Sequence, residues 1–181
     1  MKNRYVENLI CKVIEKSVSK DWIYAVKEWE IVDCEEDLSL SESCVCGKER
    51  LRFLYTIRNI NNGEFLYPIG SSCIEKFGRK DLDEQIKDKE SMFNLFHAVE
   101  SNSFIELDSR YFSRRVLRFL YLEGALNTNY NQYNGLADYE FMLEMFNKKN
   151  KDNITTKQQR KINAIIINAI IPYLKENLKI R

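Results

Sequence analysis

The sequence predicts an α+β protein, with helices at the N-terminus, a β-hairpin with a short helix in the middle, and a helical domain at the C-terminal end. Three observations carry this. Apolar residues recur at helical spacing at the start and through the second half. A central stretch alternates at period two on both sides of an Asn-Gly pair. Only two prolines interrupt 181 residues. With 44% hydrophobic residues, the chain can bury a core without disulfide staples, and a disordered reading is disfavoured.

Val6, Leu9, Ile10, Val13 and Ile14 set a helix over residues 2–18. Trp22, Ala25, Val26 and Trp29 continue that spacing after Asp21, a suitable N-cap. From Trp29 the pattern changes, and residues 29–33 read equally as a strand. The acidic stretch 33–37 and the serine-rich stretch 39–43 read as loop. Leu51, Phe53, Tyr55 and Ile57 then alternate with Arg52, Leu54, Thr56 and Arg58, giving a strand with an apolar face. Asn62-Gly63 favours a hairpin closed by two successive positive φ angles. Phe65, Tyr67 and Ile69 form the return strand, and Pro68, which lacks an N–H, places that strand at an edge. Ser72 and Glu75 are spaced as a capping box for a short helix that Gly78 stops.

The charged stretch 81–90 reads as an exposed helix or linker. Beyond it three helical stripes follow, through Met92, Phe96 and Val99, through Phe112, Val116, Phe119 and Leu120, and through Tyr139, Met142, Leu143 and Phe146. Residues 127–135 are the main irregular connection. Thr155 and Gln158 offer a capping box for a last helix that Pro172 should kink or end. The expected domains are residues 1–80 and residues 81–181.

Five cysteines are present, and four of them, Cys34, Cys44, Cys46 and Cys73, fall in one stretch while Cys11 stands apart. In a reducing compartment such a cluster reads as metal-binding before it reads as disulfides. Cys44 and Cys46 precede the first hairpin strand and Cys73 follows the second, so the hairpin returns both groups to one side. Gly47 suits a tight approach to a metal, and Cys73, in the first turn of its helix, gains from free N–H groups there. Structural zinc takes four tetrahedral ligands, and Cys34 is the fourth cysteine of the region. The expectation is therefore a zinc-stabilised β-hairpin with ligands Cys34, Cys44, Cys46 and Cys73, the competing readings being His97 as fourth ligand or four ordinary buried thiols. The order of knuckle, hairpin and short helix follows a treble clef, although C-x-C is tighter than the usual C-x-x-C.

Ala25, Glu28-Trp29, Cys44-Val45-Cys46-Gly47, Tyr55-Thr56-Ile57-Arg58-Asn59, Asn62-Gly63 and Ile69-Gly70-Ser71-Ser72-Cys73-Ile74-Glu75-Lys76-Phe77 give residues 22–77 a further likeness. The stretch resembles a group of small, largely uncharacterised proteins of phages, plasmids and mobile elements of Gram-positive bacteria. Ser113-Arg114-Arg115, Gly124-Ala125-Leu126, Asp138-Tyr139-Glu140-Phe141 and Lys161-Ile162-Asn163 extend the resemblance more weakly into the second half. It implies a zinc-ribbon-like module joined to a helical domain, and no specific activity. Members often carry His after C-x-C-G, where this chain has Lys48.

Catalytic signatures are absent: no phosphate-binding glycine loop, no nucleophile elbow, no H-E-x-x-H and no dinucleotide fingerprint. A zinc deaminase site would need a C-x-x-C that the chain lacks. Glu35-Glu36-Asp37 reads as a solvated acidic face before a metal cluster. A non-enzymatic binding protein is expected. The formal charge is +1, from 28 basic and 27 acidic residues, so composition alone does not argue for nucleic acid. Local clusters do. Lys48, Arg50, Arg52 and Arg58 accompany the hairpin with Tyr55 and Tyr67, and Arg114, Arg115 and Arg118 share one helix. The alternative partner is a host protein, met through the acidic stretches 33–37 and 81–90. The first residues lack a signal-peptide core, and the longest apolar run, residues 164–173, is broken by Asn168 and too short to span a bilayer. A soluble, cytoplasmic protein is expected.

Overall fold

The computed structural model describes residues 4–101 and 104–181. The chain divides into two units, Met1–Lys89 with Lys179–Arg181, and Glu90–Leu178. Against the expected 1–80 and 81–181, the first unit runs further along the chain and regains the last three residues. The architecture is α+β, as the hydrophobic periods indicate.

In the first unit, α1 (Arg4–Lys16) buries Leu9 and Val13, one turn apart. The start of the expected helix, residues 2 and 3, lies outside the described residues. Asp21 caps α2 (Trp22–Ala25), its carboxylate accepting the Ile23 N–H at 2.8 Å. A 3-10 turn then leads into β1 (Trp29–Glu36). The turn is pinned by Glu28, which is 6% exposed. Its carboxylate accepts the Val18 and Ser19 N–H groups at 2.8 Å each and the Asn59 amide at 2.7 Å. Burial would push this carboxyl up, but the bonds from Asn59, Ser19 and Val18 outweigh it and hold the group below its ordinary range.

Residues 33–36, expected as loop, belong to the sheet. β1 pairs antiparallel with β2 (Phe53–Asn59), Cys34 opposite Tyr55 and Glu36 opposite Phe53. On its other side β1 pairs in parallel with β4 (Lys179–Ile180), Glu36 opposite Ile180. The acidic side chains do not prevent this because basic partners meet them: Arg52 Nε lies 2.7 Å from Glu36, and Lys179 pairs with Asp33. Asp37 closes the strand by accepting the Ser39 and Ser41 N–H groups at 2.9 Å, so the serine-rich stretch begins as a hydrogen-bonded turn.

The sheet order is β3-β2-β1-β4, which puts β3 (Phe65–Ile69), with Pro68, at an edge as its missing N–H requires. The hairpin turn differs from the expected two-residue form. Gly63 has φ +76°, but Asn62 does not share the left-handed region, and the loop from Asn59 to Glu64 is held by the Asn59 side chain, which accepts from the Asn61 and Asn62 N–H groups. The single-turn helix α3 (Ser71–Ile74) follows. Its N-cap is Gly70 without a side-chain cap, so the expected Ser72–Glu75 box does not form, while Gly78 ends the following 3-10 turn at φ +66°.

α4 (Lys80–Glu100) contains the boundary at Lys89 and Glu90. The second unit is helical: the end of α4, α5 (Arg114–Leu122), α6 (Gly135–Asn147), α7 (Thr156–Ile165) and α8 (Ile171–Asn177). Met92, Leu117, Leu120, Met142, Ile162 and Ile166 are among its buried core. The Thr155–Gln158 capping box is formed in both directions. Pro172 does not end the helix. A π turn over Ile166–Ile170 precedes it, and Pro172 falls in the first turn of α8, where the missing N–H costs least. Among the described residues, no helix is long and apolar enough to cross a membrane.

Candidate metal centre

The first unit gathers three thiols. Cys44 and Cys46 stand on a tight turn before β2, and Cys73 stands on α3 just past β3. The hairpin brings these segments together through backbone bonds, since the Val45 N–H donates to the Pro68 carbonyl of β3 at 2.9 Å. The turn itself is closed by Gly47 N–H to the Cys44 carbonyl at 2.7 Å and Cys44 N–H to the Lys48 carbonyl at 2.8 Å, with Gly47 at φ +93°. This left-handed geometry is what the glycine permits. From α1, the Asn8 amide donates to the Cys46 carbonyl at 3.0 Å, fixing the knuckle from a second side.

The sulfurs of Cys44 and Cys73 lie 3.6 Å apart and those of Cys73 and Cys46 3.5 Å apart, with all three within 4.8 Å. Zinc–thiolate bonds of about 2.3 Å at tetrahedral angles put sulfurs about 3.8 Å apart, so the spacing fits one shared cation. It is far longer than the roughly 2.05 Å of a disulfide, and the cysteines are free thiols. All three are buried, at 4%, 1% and 5% exposure in chain order.

The electrostatics also fit a cation. Cys73, hydrogen-bonded to Cys44, holds the Cys44 thiol down to about 5, and the Cys46 and Gly70 amides assist, the Gly70 nitrogen lying 3.4 Å from the sulfur. Its neighbours are pushed the other way. The Cys44 thiolate and burial raise Cys73, and burial raises Cys46, against a bond from the Lys48 amide. A cation shared by the three sulfurs would favour their thiolate forms against that burial. The donor set fits a soft divalent ion: thiolates select zinc over magnesium or calcium.

Cys34, expected as fourth ligand, is not in this group. It is buried in β1, where the ladder fixes its backbone opposite Tyr55. The sequence places Cys34 at the start of an acidic stretch that reads as loop, whereas the structure sets it inside the β1 ladder. His97 lies on α4 in the second unit, edge-on to Phe96 at 5.9 Å, and does not join the three sulfurs either.

The basic residues singled out from sequence are divided between the two units. Arg52 is bound to Glu36, and Arg58 holds Glu30 through two nitrogens. Lys48 and Arg50 are exposed on the knuckle side, Arg50 at φ +61°. In the second unit, Arg114 Nε donates to Asn147 Oδ1 at 2.7 Å, Arg118 is exposed and Arg115 is half-buried. Sequence reasoning missed the surroundings of the sulfurs. Cys46 and Cys73 border a cleft of about 650 Å³ whose walls include Tyr5, Lys48, Glu49, Ser72 and Lys76. The available signals were Lys48, two residues after Cys46, and Lys76, three residues after Cys73.

Compared with protein-family models, curated proteins and solved structures, the chain matches none.

Proposed function

We propose that the first unit is a non-enzymatic, zinc-held module that associates with nucleic acid through its knuckle end. The observation that carries this is the convergence of three buried sulfurs within 4.8 Å of one another, from two segments that the hairpin joins. A metal there ties the knuckle to α3, doing for this small unit what a larger core would do otherwise. The resemblance of residues 22–77 to zinc-ribbon-like proteins of mobile elements points the same way, as does the lack of catalytic signatures. The nucleic-acid part rests on Lys48, Arg50 and Lys76, exposed basic groups on or beside the knuckle and α3. Arg52 and Arg58 contribute less than the sequence suggested, because their charge is spent on Glu36 and Glu30.

A second reading, a protein-binding accessory module acting on a host factor, draws on the hairpin. Phe65 and Tyr67 are 50% and 42% exposed on β3, Phe65 opposite Arg58, whose charge Glu30 cancels, and Tyr67 donating its hydroxyl to Glu35. Such a face suits a protein partner better than phosphate.

Fluorescence anisotropy with a short single-stranded oligonucleotide separates the two. The nucleic-acid reading expects affinity to fall steeply from low to physiological salt, and expects Lys48→Glu with Arg50→Glu to weaken binding at low salt by about tenfold. Absence of binding at low salt, or salt-independent binding, refutes it. A stoichiometric protein partner retained after nuclease treatment of a host lysate supports the second reading.

A further inference from the structure

The three sulfurs are not equivalent in their surroundings. Cys44 receives the Gly70 amide, while Cys46 and Cys73 border the cleft of about 650 Å³. Among the described residues, no further cysteine, histidine or carboxylate joins the group. Zinc bound by three protein ligands keeps a fourth position for water or another ligand. Two of the three cysteines, Cys46 and Cys73, line the cleft. Three thiolates against one divalent cation leave a net negative charge, which by itself would repel an anion. Lys48 and Lys76 on the cleft walls offset that charge and the one on Glu49, leaving the site close to neutral, and Lys76 is tethered there by donating to the Ser72 carbonyl at 2.9 Å.

We propose that the fourth coordination position opens into this cleft and takes an exogenous phosphate-type oxygen, with Lys48 and Lys76 supplying the balancing charge. The inference rests on the metal reading above. The phosphate belongs either to a free anion or to a nucleic-acid backbone, which present the same oxygen chemistry to the metal and to the two ammonium groups. Glu49, the one carboxylate on the cleft walls, is the internal competitor for the position.

Cobalt(II) in place of zinc makes the ligand set visible, because cobalt–thiolate absorption depends on the number and type of donors. The full chain is loaded with cobalt and titrated separately with inorganic phosphate and with a short single-stranded oligonucleotide. The expected result is one cobalt per chain and a saturable change of the visible bands. A response to phosphate alone identifies a free anion as the ligand. A response to the oligonucleotide identifies the backbone, and both support the inference. Lys48→Glu combined with Lys76→Glu should weaken that response about tenfold with cobalt stoichiometry unchanged. Unchanged affinity in this variant overturns the role given to the lysines. Bands that respond to neither probe overturn the open position while leaving the metal centre standing, and a response gained only in Glu49→Gln overturns it by assigning the position to Glu49. Failure to bind cobalt at all overturns the metal centre itself.

Discussion

Glu28 shows how one side chain fixes several segments of the first unit. Its buried carboxylate takes two backbone N–H groups from the link after α1 and the side-chain amide of Asn59 at the end of β2. Hydrogen bonds to a charged acceptor contribute about 1.5–3 kcal/mol each, and stranding buried donors costs more than the bond itself. Glu28→Ala should therefore destabilise the protein by about 2–4 kcal/mol at neutral pH, read from the denaturation midpoint. The pH dependence has a definite sign. The folded carboxyl titrates below the ordinary value of 4.5, so its stabilisation is complete above that value and is lost as pH falls through the folded one. The stability gap between wild type and Glu28→Ala should narrow on acidification below about 4.5, and a gap that widens there would contradict the assignment. The sequence marks Glu28 only through the resemblance of residues 22–77, and no local pattern there announces a buried carboxylate. Its role depends on Val18, Ser19 and Asn59, the last of them far along the chain. The cysteines were more legible, because a hairpin carries its own return path and places Cys73 back beside Cys44 and Cys46.

Elements were readable where their pattern is local. The Thr155–Gln158 box needs only a spacing of three residues, and it is formed, with Thr155 N–H to Gln158 Oε1 at 3.0 Å and Gln158 N–H to Thr155 Oγ1 at 3.2 Å. Thr155→Ala should cost about 1 kcal/mol through loss of the cap on α7, whereas Thr155→Ser should cost little. Equal losses in the two variants, measured by denaturant unfolding, would contradict a capping role. The Ser72–Glu75 spacing looked equivalent and failed, because the chain enters α3 through Gly70 directly from the sheet. β4 was invisible for a different reason. It is two residues long and pairs with β1 from the far end of the chain, through Arg181 N–H to the Glu36 carbonyl at 2.9 Å and Leu38 N–H to the Arg181 carbonyl at 2.9 Å. Neither composition nor period announces a pairing over that separation. Pairing with β2 throughout, and with β4 at Glu35 and Glu36, makes the acidic stretch 33–36 a strand, and Cys34 sits within that ladder outside the group of three sulfurs.

At the scale of the molecule, the division into helices, hairpin and helical domain follows from hydrophobic period, while the exact partition follows from long-range pairing that period does not encode. The first unit collects its core around a four-stranded sheet and carries the sulfurs; the second carries a helical core of its own. The account stands on the three cysteines holding one metal ion without Cys34. Elemental analysis of the full chain purified without added metal tests this most directly, with Cys46→Ser and Cys34→Ser run beside it. One zinc per chain is expected in the wild type and in Cys34→Ser, and a substoichiometric amount in Cys46→Ser. A wild type free of metal, or a Cys46→Ser variant that keeps its full complement, would contradict the account.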